Sequence, residues 1–400
     1  MTVACMRALD RWLGVPLCGL CSLVCRAAPR ADVPPRRILL IELSEMGSAI
    51  LADPAMRQIQ THLPEAELFF AIFEHNRPSL GLLGTVPPER IFGLRGDTLR
   101  HLGRDTARFR RWARRHGIDT VIDLELFSRF TALLAVISGA ANRVGFDAFH
   151  EEGLYRGRLL TRRVIFNPLQ HIAANFLALA YAVIYPQDEE PYTKRVLHPE
   201  ALRLARARPT ERQREQARAA VRQALPDFDG QRHRLLLVNP DFSEWIPQRR
   251  WPAARYAGVI AALLARHADL RVLVTGGREE QAGIRQLAGQ VDDARCAAFA
   301  GALPLDALPA LYGLTTVMLT GDSGPAHFAA VTDLPTYVIF GPETPRLYGA
   351  LGNTRFIYAG FACSPCVRAS NHRRSPCRDN RCLQAITVDE VVARVREVLG

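Results

Sequence analysis

The segment TGDSGPAHFAAVTDLPTYVIFGPETP (320–345) gathers residue types that could hold a phosphorylated ligand. An apolar run ends at Thr320, and Gly321-Asp322-Ser323-Gly324 makes a turn onto a helix whose first turn carries His327. The amides of such a loop, with the N-terminus of the helix it opens, form an anion cradle suited to a diphosphate. Ser323 and the Gly324 amide can donate to phosphate oxygens, and Gly324 lets a ligand come close to the chain. His327 adds a proton donor for charge developing on the phosphate. An ordinary helix cap accounts for a lone glycine-serine turn equally well.

A second chemical cluster is CSPCVRASNHRRSPCRDNRC, in which Cys363, Cys366, Cys377 and Cys382 are separated by two, ten and four residues. Two C-x(n)-C pairs joined by a polar loop fit tetrahedral thiolate coordination of a structural zinc. Packed free thiols and a pair of disulfides are the alternatives, the latter requiring an oxidising compartment. The other cysteines, Cys5, Cys18, Cys21, Cys25 and Cys296, pack as small hydrophobes without any bond being required.

These residues need elements to position them. A chain of 400 residues suits two domains, and 48% apolar against 23% charged residues excludes a disordered or fibrous protein. Buried strands are expected at 38–43, 120–126 and 143–146, with a glycine turn, an amphipathic helix and a further strand following the first. A second alternation places strands at 235–240, 270–277, near Ala298, at 316–321 and at 336–341, with helices at 253–266, 305–313 and 326–331 between them. The expected organisation is a terminal helical segment 1–32, a Rossmann-like domain 33–200, a basic helical linker 201–230 and a second Rossmann-like domain 231–400, carrying the cysteine segment 363–382. Two doubly wound α/β domains facing a cleft constitute the GT-B fold, and the terminal helix 388–399 is expected to cross back to the first domain.

The net charge of +11 comes mainly from arginine, in runs at 108–117 and 203–222. It admits phosphorylated substrates, an anionic membrane surface or nucleic acid as partners. Helical charge spacing in the second run also fits a solvated helix face, and no basic-aromatic interleaving supports nucleic acid. In the segment 1–32 an apolar run from Leu13 to Val24 is flanked by Arg7, Arg11, Arg26 and Arg30. The run is too short to span a bilayer, for which about 20 residues are needed. It fits an interfacial anchor on an anionic leaflet, a signal peptide, or a helix packed on the first domain.

The run DSGPAHFAA followed by PTYVIFGPETP resembles the signature of glycosyltransferase family nine, the heptosyltransferase family, and the similarity extends over roughly residues 36–395. The resemblance implies that Asp322, Ser323, Gly324 and His327 hold the diphosphate and sugar of a nucleotide-sugar donor, ADP-heptose being the family's. NPDFSEWIPQRRWPAARYAGVI (239–260) is similar to a further family pattern, which implies phosphate contacts from Ser243 and from Arg249 or Arg250. VTGGREEQ (274–281) resembles the glycine-rich turn, including Gly277, whose acidic residue holds the nucleoside; Glu280 is favoured and Glu279 is the alternative. On the acceptor side the likeness of 121–147 implies sugar or phosphate contacts from Asp123, Glu125 and Arg129, with His171 near the cleft. The family further implies inversion at the anomeric carbon, a lipid-linked or lipopolysaccharide-type acceptor, no catalytic metal or cofactor, and work in the cytoplasm at the inner face of the inner membrane.

The chain departs from the family at one place. The first strand-helix turn reads LSEMGSAI, so Ser48 stands where active members carry the aspartate proposed as base. A serine hydroxyl is no base near neutral pH without a partner. Among Glu42, Glu45 and Asp53, Glu45 occupies the turn itself and is the expected substitute, with Glu125 second. A homologue that binds a sugar nucleotide or glycan without turnover is the alternative function, and an epimerase built on the same cradle is a weaker one.

Overall fold

The computed structural model describes residues 3–26, 33–148, 154–186, 191–242, 246–368, 371 and 373–400. The chain divides into two compact units, Met1–Ala205 and Arg206–Gly400, so the passage between them falls inside the basic stretch 201–230.

In the first unit, β1 (Arg37–Ile41), β2 (Glu67–Phe73), β3 (Ile91–Leu94), β4 (Thr120–Asp123), β5 (Asn142–Phe146) and β6 (Arg162–Val164) form one parallel sheet ordered β3-β2-β1-β4-β5-β6. Ile38 to Ile41 are wholly buried, as expected of a central parallel strand covered on both faces. The helix Leu99–Arg115 covers one face with Phe109 and Ala113, while its arginines at 108, 110, 111, 114 and 115 stay exposed. The first arginine run is therefore the solvated face of an amphipathic helix.

The second unit repeats the plan. Its strands are β7 (Arg234–Asn239), β8 (Leu270–Gly276), β9 (Cys296–Ala300), β10 (Val317–Gly321), β11 (Thr336–Phe340) and β12 (Thr354–Tyr358), parallel and ordered β12-β11-β10-β7-β8-β9. The helix Glu211–Ala224 buries Ala217 and Val221 and carries Arg212, Arg214, Arg218 and Arg222 outward; Arg214 and Arg218 both pair with Glu211. The terminal helix Val388–Leu399 packs on the helix Ala253–Arg266 and on β10.

The N-terminal segment folds as two helices, Val3–Trp12 and Gly14–Arg26, packed on the helix Arg129–Ile137. Cys18 is buried against Ala132 and Leu159. Ser22 Oγ donates to the Cys18 carbonyl at 2.6 Å and accepts from the Arg158 amide at 2.7 Å. Asp10 accepts from the amides of Arg129 and Phe130 at 2.7 and 2.9 Å, satisfying donors that a helix N-terminus leaves open. No helix among the described residues is long and apolar enough to cross a membrane.

This docking is sensitive at Gly157, which has φ +61° and whose Cβ, if present, would lie 2.1 Å from Ser22 Oγ and 2.9 Å from the Cys18 carbonyl. Gly157→Ala is expected to lose about 1–2 kcal/mol of stability from the left-handed backbone alone, and to expose the N-terminal helices to protease. Denaturant unfolding and limited proteolysis indistinguishable from wild type would show that the helices are not held this way.

Candidate functional site

In the order 3-2-1-4-5-6 the connections leaving β1 and β4 run to opposite sides, which opens a crevice at the carboxyl ends of those two strands. The equivalent pair in the second unit is β7 and β10. The residues just past these four strand ends are where side chains can converge without disturbing a sheet.

In the second unit Arg249 lies at the end of the turn Pro247–Arg249 and is largely enclosed. Its Nε stands 3.2 Å from Asp322 Oδ2, and its Nη2 stands 3.1 Å from Glu343 Oε2. Asp322 immediately follows β10, and Glu343, 1% exposed, lies three residues past β11. One guanidinium thus faces two enclosed carboxyls, each favouring its neutral form because burial penalises charge. Burial raises the Asp322 carboxyl against the opposing pull of Arg249, and pushes Glu343 up to about 8 against the same pull. Glu343 Oε1 and the hydroxyl of fully buried Tyr256 make no hydrogen bond. Such groups are rare in native folds and concentrate where ligand or water is handled.

The rest of the expected donor set surrounds this cluster by sequence and strand order. Glu280 accepts from the amides of Gly277 and Phe242, both at 2.8 Å, and so ties the turn after β8 to the loop after β7. Arg250 Nη2 donates to the Phe242 carbonyl at 2.8 Å. Ser243 lies outside the described residues. Ser323 precedes the helix Gly324–Ala329 without capping it, its hydroxyl 3.4 Å from the Gly321 carbonyl. A side chain at Gly324 would press on the Phe328 ring at 3.2 Å. His327 sits in the last turn of this short helix, half-buried.

In the first unit Glu125 closes the turn after β1: its Oε1 accepts from the amides of Leu43 and Ser44, at 3.1 and 3.0 Å, and from the Ser44 hydroxyl. Glu45 precedes the helix Met46–Leu51, and Ser48 Oγ donates to Glu45 Oε2 at 3.4 Å. Glu42 is buried and accepts from the Glu45 amide at 3.3 Å. Asp53 is enclosed, accepting from Thr85 Oγ1 and the Ala205 amide. Asp123, expected to touch a sugar hydroxyl, is wholly buried instead. It pairs with Arg156 Nη1 and accepts from Thr131 Oγ1, both at 3.0 Å, and burial pushes its carboxyl up to about 6 against the pull of Arg156. Arg129 also makes an internal pair, 3.2 Å from Asp10 Oδ2, with its Nε donating to the Tyr155 carbonyl at 2.9 Å. His171 caps the helix Ile172–Ile184, its Nδ1 accepting from the Ala173 amide at 3.2 Å.

The family model of glycosyltransferase family 9 (heptosyltransferase) matches residues 106–375, about two thirds of the chain. The chain belongs to glycosyltransferase family 9. Lipopolysaccharide heptosyltransferase 2 of Salmonella typhimurium is 30% identical over 121 residues, which is 30% of this chain and 34% of that protein. The chain spans between 25% and 34% of the length of the first curated relatives it matches. Among solved structures, E. coli ADP-heptose lipopolysaccharide heptosyltransferase II superposes with a TM-score of 0.69 at 19% identity, covering 91% of this chain and 98% of that one. E. coli heptosyltransferase WaaC with ADP gives 0.62 at 16% identity, covering 90% and 99%. These likenesses establish the GT-B fold class for this family 9 chain.

In this family 9 protein the four cysteines expected to hold zinc lie in one region, the Cys382 thiol feeling Cys366, Cys377 and Cys363. Among the described residues no three His, Cys, Asp or Glu side chains stand together so as to hold a metal ion. Cys382 is buried at the helix Arg381–Gln384, Cys363 is exposed, Cys377 Sγ lies 3.5 Å from Asp379, and Cys366 accepts from Ser375 at 3.2 Å. All four are free thiols. Sequence reasoning also missed Glu343 and Arg156. A charged residue two positions past the apolar run 336–341 could have drawn attention to Glu343, whereas Arg156 gives no local signal.

Asp123 without Arg156 would be an uncompensated buried carboxylate, so Arg156→Met is expected to lose about 3–5 kcal/mol. Denaturant unfolding measures this, and a loss below about 1 kcal/mol would show the pair to be dispensable.

Proposed function

We propose that this chain transfers a heptose from ADP-heptose to a lipopolysaccharide-type acceptor, with the donor held by the second unit and the acceptor by the first. The observation that carries the reading is the enclosed Arg249 at the β7/β10 switch point, beside a glycine-serine turn that opens a helix. A relative solved with ADP supports the nucleotide. An acceptor hydroxyl oxygen attacks the anomeric carbon as the bond to the diphosphate breaks, which inverts that centre. The leaving diphosphate keeps the bonding electrons, and Arg249, Arg250, Ser323, the Gly324 amide and His327 stabilise its charge. Glu45 takes the hydroxyl proton; Ser48, in hydrogen-bond range, orients its carboxylate. Glu125 is the weaker choice, because its Oε1 already holds the turn after β1. Glu280 binds the ribose, and Arg129 and His171 border the acceptor.

Ser48 at the usual aspartate position favours a second reading, binding without turnover. Calorimetry and turnover assays separate the two. Arg249→Ala with Arg250→Ala should weaken ADP binding about 10- to 100-fold, the worth of charge-assisted hydrogen bonds. Glu45→Gln should keep ADP affinity and slow transfer about 10²- to 10⁴-fold. Wild type that binds ADP-heptose but never turns it over supports the binding module, and ADP affinity indifferent to both arginines removes the donor site.

The protein works at an anionic membrane surface on the cytoplasmic side. The two N-terminal helices bury Cys18 downward and present Trp12, Leu13, Leu17, Leu20 and Leu23 outward, with Trp12 74% and Leu23 63% exposed. Arg11 lies over the Trp12 ring and is exposed as well, which suits an anionic leaflet rather than a second protein core. In flotation assays the protein should bind vesicles containing phosphatidylglycerol, more weakly at high salt. Leu17, Leu20 and Leu23 changed together to Ser should abolish flotation while ADP affinity stays at the wild-type value. Flotation unaffected by that triple change would remove this surface from consideration.

A further inference from the structure

Glu343 lies inside the run PTYVIFGPETP that carries the family resemblance, which gives its carboxyl no role, and its setting is chemically unusual. Its Oε2 meets Arg249 Nη2 at 3.1 Å, while its Oε1 is buried without a hydrogen bond. The same guanidinium faces Asp322 twice, through Nε at 3.2 Å to Oδ2 and through Nη1 at 3.4 Å to the backbone carbonyl. Two of its five N–H donors are hydrogen-bonded to these residues, one from Nη1 to the Asp322 carbonyl and one from Nη2 to Glu343, while Nε, in ion-pair range of Asp322 Oδ2, makes no hydrogen bond and remains with the others for a ligand. Were both enclosed carboxyls ionised against one cation, a negative charge would stay uncompensated, and an arriving diphosphate would add more beside it.

We propose that Glu343 is the proton-holding group of the donor site, so that a diphosphate sharing Arg249 binds together with one proton taken up on this carboxyl. The inference rests on the donor-site reading above. Proton uptake converts the carboxylate to a neutral acid, which needs no cation. Arg249 is then free to serve Asp322 and the phosphate, while Glu343 keeps one oxygen on the guanidinium and gains an O–H donor for the side that lacks a partner. The charged groups acting on Glu343 are Arg249, before the helix Ala253–Arg266, and Asp322, after β10, while Asp241, after β7, acts on Arg249. Cys366 approaches from the loop whose amide donates to the Pro342 carbonyl at 2.9 Å. Only Arg249 is a cation within ion-pair distance of Glu343 among the described residues. The sign follows from the raised carboxyl: below about 8 the proton is already present and costs nothing to supply, and above it binding must draw the proton from solvent.

The test is calorimetry of ADP and of inorganic pyrophosphate from about pH 6.5 to about pH 9.5, in buffers of different ionisation enthalpy, which counts protons exchanged. Wild type should take up close to one proton above pH 8, with affinity falling about tenfold per pH unit there. Glu343→Gln, neutral and equal in size, should bind ADP without that uptake and with a flat dependence above about pH 7, where the terminal phosphate of ADP is ionised. Infrared difference spectra should show a protonated-carboxyl band that disappears between about pH 7 and pH 9 in wild type and is absent from the variant. Equal proton exchange in both proteins, or no titrating carboxyl band in that window, overturns the proposal and leaves the donor site standing. Failure of wild type to bind either ligand at any pH overturns the donor site, and the proton coupling with it.

Discussion

An acid buried at the carboxyl end of the fourth strand, neutralised by an arginine delivered from elsewhere in the chain, recurs in both units. Asp123 ends β4 and meets Arg156 at 3.0 Å; Asp322 follows β10 and meets Arg249 at 3.2 Å. Neither acid could stay in such a place alone, because an enclosed unpaired charge costs several kcal/mol. Each pair therefore dictates where a distant loop must lie, and the loops so fixed line the two switch points.

The two pairs differ in how completely they are satisfied. In the first unit Thr131 completes Asp123, and Arg156, whose Nε alone is buried without a partner, also donates to the Glu125 carbonyl, so the pair acts as a strut under the turn that carries the acidic residues. In the second unit the pair is open: Glu343 adds a second carboxyl to the same guanidinium, and a tyrosine hydroxyl beside β10 has no partner. The same architecture thus yields a rigid support in one unit and an electrostatically unsettled site in the other. A ligand bearing negative charge is suited to the second because it can take up donors that the protein leaves only partly used.

The N-terminal helices extend this logic to the surface. Asp10 supplies the carboxylate that the first turn of Arg129–Ile137 would otherwise draw from solvent or ligand, and Cys18 and Ser22 complete the seam. The docked face is small and well bonded, which leaves the leucines at 17, 20 and 23 on the opposite side in a position fixed relative to the first sheet.

The central strands were readable in the residues because a parallel strand covered on both faces admits almost nothing polar, so β1, β7, β10 and β11 announce themselves as apolar runs. The edge strands β3, β6 and β12 did not: they are short, have one neighbour each, and include Arg162-Arg163 and Thr354-Arg355. The turn at 321–324 and the turn after β8, which Glu280 ties to the loop after β7, were likewise legible as turns, since a strand-to-helix turn rests on spacing along a few residues. The pairing of Arg249 with Glu343 spans 94 residues, that of Arg156 with Asp123 spans 33, and that of Arg129 with Asp10 spans 119. Backbone periodicity decides what each segment becomes, and the sequence carries it locally. Which charge meets which is decided by strand order and burial, and those exist only once the sheets have assembled.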